Sequence, residues 1–98
     1  MSVQLLAQAI QQQCAVEFEY DGHRRVVHPA AVGLHRSTNR ESLRGYQVGG
    51  TSASRTTPLW DLFTVAKIQG LRVLGGPVPV PPGFSPGDKH MSVIYAER

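Results

Sequence analysis

The stretch that most limits the fold is Val16–Pro29, VEFEYDGHRRVVHP. Val16, Phe18 and Tyr20 alternate with Glu17 and Glu19, which is the period of a strand with one buried face. Asp21-Gly22 then offers two residues that tolerate positive φ, the pairing that closes a tight hairpin. The chain returns through Arg24, Arg25, Val26, Val27 and His28. It is expected to leave the ladder at Pro29, which has no N–H to donate, and to resume beyond a bend as Ala30–Leu34. Two adjacent arginines therefore lie just past the turn of a compact hairpin.

The flanking chain reads as further short elements. Ser2–Gln13 has Val3, Leu6, Ala9 and Ile10 at helical spacing, with Ser2 placed to cap. Cys14 follows at the helix-to-strand joint and reads as packing rather than chemistry, because no basic residue adjoins it to stabilise a thiolate. His35–Glu41 is a polar turn. Leu43–Val48 alternates as a strand, with Arg44, Tyr46 and Val48 on one face, and Gly45 within it marks a bend or a close approach. Gly49–Thr57 is a loop by composition. Pro58–Val65 is a fourth strand, Ala66–Gly70 a tight turn and Leu71–Leu74 a last short strand. Gly75–Gly83 holds four prolines and is expected to be an extended connector. Ser85–Arg98 fits a helix, with Ser85 as cap, Pro86 at the first position, Asp88 completing a capping box, and Met91, Ile94 and Tyr95 on one face.

The expectation is a mainly β (α+β) fold. It comprises a five-stranded small barrel with an N-terminal helix over residues 1–74, a Pro/Gly-rich connector over 75–84 and a C-terminal helix over 85–98. Closing a short sheet into a barrel removes its edges, the economical solution for 98 residues. The C-terminal helix needs a surface to dock on, in its own chain or in a second copy or partner protein. A single cysteine excludes an internal disulfide framework and fits a cytoplasmic chain. The first residues lack the basic start and apolar run of a signal peptide, and no apolar run approaches the roughly 18 residues that span a bilayer.

Net charge is +3, but it is placed unevenly. His23–Arg55 carries six arginines against Glu41 alone, an excess of +5. Arginine's planar fork suits phosphate and stacks on bases, so the segment suggests an anion-binding face.

Taken together, these segments resemble the WYL domain family. A helix ending in Ala9-Ile10 precedes Val16–Tyr20. The Arg-x-Val-x-Pro pattern follows at Arg25, Val27 and Pro29, and Leu43–Tyr46 falls at the family's Trp-Tyr-Leu strand. Phe63–Ile68 parallels its Phe-Arg-Leu-Asp-Arg-Ile segment. Glu41 and Ser42 stand where the family has Trp and Tyr, and Ala66-Lys67 where it has Asp-Arg. The resemblance implies an Sm-like, SH3-like barrel and a ligand-sensing role, often toward nucleotides or nucleic acid, as in bacterial transcription regulators. Arg25 and Lys67 match its basic positions.

The binding expectation is therefore a nucleotide or single-stranded nucleic acid held by Arg25, Lys67, Arg44 and Arg24, with Tyr46 as a stacking ring. Against it stands a plain alternative, in which Arg25 pairs with Glu17 or Glu19 across the hairpin. The chain is then a protein-interaction or oligomerisation module. Catalysis finds no footing. His23, His28, His35 and His90 lack metal-ligand spacing, the serines lack a nucleophile elbow, and Val48–Thr51 lacks the lysine of a phosphate loop. No cofactor is expected.

Overall fold

The computed structural model describes residues 2–50 and 58–98. Most of the predicted loop after Gly50, with Ser52, Ser54 and Arg55, lies outside the described residues. The fold is mainly β: a helix α1 (Ser2–Gln11) precedes β1 (Ala15–Tyr20), β2 (His23–His35), β3 (Glu41–Gly50), β4 (Leu59–Thr64), β5 (Gln69–Gly75) and β6 (Met91–Glu97). All six strands form one antiparallel sheet in the order β4-β3-β2-β1-β5, with β6 added to β2.

The hairpin forms as its residues dictate. Asp21 (φ 52°) and Gly22 (φ 76°) both take the positive φ of the tight turn, and Phe18 pairs with Arg25, Glu19 with Arg24. Pro29 does not end β2, which runs through it as a 13-residue strand. On one side of β2, Val27 is the last residue in register with β1 and Ala31 the first with β6. Pro29 sits in the gap between them, beside a register shift against β3, where a missing N–H costs no ladder bond.

The expected C-terminal helix is absent. Met91–Glu97 is the strand β6, in register with Ala31–His35 of β2. Val93, Ile94 and Tyr95 are β-branched or aromatic and favour a strand, and the far half of β2 offers an unpaired edge where β1 has ended. Gly33 lets β6 seat, because any side chain there would meet the Val93 carbonyl. Nor is the sheet a closed five-strand barrel: among the described residues, β4 and β5 end it and do not pair. It curls instead, giving extents of 29 × 28 × 27 Å, and α1 fills the concave side.

On that side Leu6, Ala9 and Ile10 of α1 meet Val16, Phe18, Val27, Val32, Leu43, Phe63, Val65, Ile68 and Ala96. Phe18 and Phe63 pack edge-to-face with centroids 5.1 Å apart, and Tyr20 meets Phe63 at the same separation. Cys14 is half-buried against this core.

Candidate functional site

Strand alternation sorts the predicted basic residues before any contact is considered. Neighbours on one strand point to opposite faces, and residues in register on adjacent strands share a face. Arg25, in register with buried Phe18, points to the core side. Arg24 shares the outer face with Glu17 and Glu19. Arg44 and Tyr46 also lie on the outer face, while Lys67 projects from a single 3₁₀ turn (Val65–Lys67) at the rim. The structure thus brings Arg24, Arg44 and Tyr46 to one face and turns Arg25 away from them.

Each of these cations is engaged within the chain. Arg24 ion-pairs with Glu17, whose other oxygen accepts from Arg72 at 2.6 Å. Hydrogen bonds from Arg72, then Arg24, hold the Glu17 carboxyl below the usual carboxylate range. The hairpin ion pair foreseen for Arg25 is made by Arg24 instead. Arg44 Nε donates to Asp88 Oδ2 at 2.7 Å. Lys67 lies 3.4 Å from Asp21 and over the Tyr20 ring. Arg25 is 3% exposed. Its guanidinium lies 5.5 Å from the Tyr20 centroid and 5.7 Å from that of Phe63, and donates to Gln47 Oε1 and the Tyr20 carbonyl. Its Nε has no hydrogen-bond partner among the described residues.

The outer face carries a second arrangement that the sequence did not single out. His28, Tyr46 and Trp60 stand in one register row across β2, β3 and β4. The Tyr46 and Trp60 rings are 5.3 Å apart and tilted. The chain between β5 and β6 crosses this face. Val78 N–H donates to the Gln13 carbonyl at 2.8 Å, Arg98 Nη2 to the Val78 carbonyl at 2.8 Å, and the Trp60 indole N–H to the Pro82 carbonyl at 2.8 Å. Burial, together with the charge of Arg98, lowers the His28 pKa below its ordinary value.

Where the crossing segment turns toward β6, Asp88 gathers a polar cluster. Besides Arg44, it accepts from the His90 amide at 2.9 Å, and Arg44 Nη2 meets His90 Nδ1 at 3.0 Å. The His90 and His35 rings stack at 6.4 Å. Burial alone would push the Asp88 carboxyl up, but the bonds from Arg44 and the His90 amide outweigh it and leave the pKa lowered. Beside this cluster, Arg44, Trp60, Gly83, Phe84, Ser85 and Asp88 line an open cleft of about 230 Å³. In the sequence only Tyr46 and the proline run pointed at this surface; Trp60 gave no signal there, because the Pro82 carbonyl it meets lies 22 residues away.

Three strands carry exposed apolar side chains: Val48 (38%) on β3, Val73 (38%) and Leu74 (46%) on β5, Val93 (49%) and Tyr95 (41%) on β6. No helix among the described residues is long and apolar enough to cross a membrane, and no group of three or more His, Cys, Asp or Glu among them is placed to hold a metal. Comparison with protein-family models, curated proteins and solved structures finds no match to this chain.

Proposed function

We propose that the chain is a non-enzymatic protein-interaction module that associates with a second copy through the β5 edge. The observation that carries this reading is the state of β5. It is in register with β1 on one side, its other edge is open among the described residues, and Val73 and Leu74 stand exposed on it. Sheet edges in monomeric proteins are blunted by charge, proline or covering chain. Here the one charge, Arg72, is turned onto Glu17. A two-fold axis through Val73 sets Val73 against Val73 and Arg72 against Leu74, which avoids opposing like charges. The C-terminal segment, expected as a helix docked on its own chain or on a second copy or partner protein, is instead the strand β6 paired with β2 of its own chain. Sedimentation velocity over a concentration series tests the reading. Association that Val73→Lys abolishes without loss of fold is the expected result; a chain that stays monomeric throughout the series overturns it.

A second reading keeps the nucleotide or single-stranded nucleic acid. It rests on the outer-face guanidiniums of Arg24 and Arg72, whose side chains are 63% and 66% exposed beside Glu17. In sequence it draws on the WYL-like pattern at Arg25, Val27 and Pro29, although the sheet is not closed into that family's barrel. Oligonucleotide binding at low salt that weakens steeply as salt rises would support it, and the absence of binding at low salt removes it.

A further inference from the structure

Trp60 is the only tryptophan of the chain. The segment its indole binds, Pro77–Pro82, has four prolines and therefore two backbone N–H groups, those of Val78 and Val80. Such a segment presents carbonyls with few donors, and an indole N–H donates but cannot accept. Recognition of proline-rich peptides by aromatic grooves uses this complementarity.

The geometry points to the Tyr46–Trp60 face, with the cleft beside it, as a docking surface for an extended proline-rich peptide of a partner protein, held here in cis by the chain's own residues 79–82. The chain's segment shows what the surface accepts. Within it Pro81 is buried, while Pro79, Val80 (54%) and Pro82 are exposed. Gly83 (φ 77°) then turns the chain, leaving the cleft of about 230 Å³ between Trp60 and Phe84 open to solvent. That space accommodates one further ring of a longer peptide. The Arg44–Asp88 pair at its wall is neutral overall, which favours an uncharged proline or apolar residue there. A tethered segment competes at an effective concentration of the order of mM, so a partner gains access when the segment is loosened. This surface is separate from the β5 edge, and its test does not depend on self-association.

The test uses the full chain and a triple variant, Pro79→Ser, Pro81→Ser and Pro82→Ser, which keeps the length of the segment. Each is titrated with a synthetic peptide of residues 77–83 and with the same peptide carrying serine for every proline, and Trp60 emission is read. The expected result is a saturable change with the proline peptide alone, about tenfold tighter in the triple variant as the tethered competitor is weakened. Adding Tyr46→Ala to that variant weakens it again. A folded triple variant whose emission is unmoved by mM proline peptide overturns the proposal. Should that variant not fold, the Trp60 indole N–H resonance of the unaltered chain decides. Displacement by the proline peptide but not by the serine peptide supports the site, and no displacement overturns it.

Discussion

Arg44 on β3 and Asp88 in the chain before β6 are joined by a 2.7 Å hydrogen-bonded ion pair with side chains only 23% and 10% exposed. This contact, 44 residues apart in sequence, fastens the crossing segment to the sheet. Arg44→Ala leaves a half-buried carboxylate without its cation and is expected to cost about 2 kcal/mol. Urea unfolding measures it. The loss should shrink in acid, because the lowered pKa of Asp88 contributes stability that is present above its unfolded value and lost as pH falls through the folded one.

Arg25 was expected at a ligand-binding surface but lies in the core between Tyr20 and Phe63. Arg25→Ala therefore removes packing and is expected to cost about 2–4 kcal/mol. Arg25→Met keeps the volume while removing a buried charge, and should cost less. Chemical denaturation of both variants ranks them; an equal loss would mean that the guanidinium's bonds to Gln47 and Tyr20, rather than its bulk, hold the site.

Phe18 is 1% exposed and stacks edge-on against Phe63. Phe18→Ala is expected to cost about 3–5 kcal/mol, read as a lowered denaturation midpoint. Phe18→Leu, which retains most of the volume, should lose appreciably less.

His28 resists protonation in the folded chain, through burial first and the charge of Arg98 second. The unfolded chain takes up that proton at an ordinary histidine pKa. The contribution of neutral His28 to stability is therefore intact above pH about 6.5 and declines as pH falls toward the lowered folded value. Comparing the unfolding free energies of the native chain and His28→Gln across this range isolates the effect: the native chain should lose stability faster on acidification.

The local elements were legible because their causes are adjacent residues. Asp21-Gly22 fixes the hairpin, and the spacing of Leu6, Ala9 and Ile10 fixes the helix face. The opposite orientations of Arg24 and Arg25 were also legible, since consecutive residues of a strand point to opposite sides. That alternation alone forbids a single surface built from both. Tertiary structure decided the rest. Met91–Glu97 has a spacing compatible with helix or strand, and it became β6 only because the far half of β2 had a free edge. Similarly, Glu17 gathers Arg24 and Arg72, and Asp88 meets Arg44, because the strands align in one register. A charge count along the chain records how many cations there are. Which carboxylate each one meets depends on pairing between distant segments, and that follows from burying the apolar faces, not from the charges themselves.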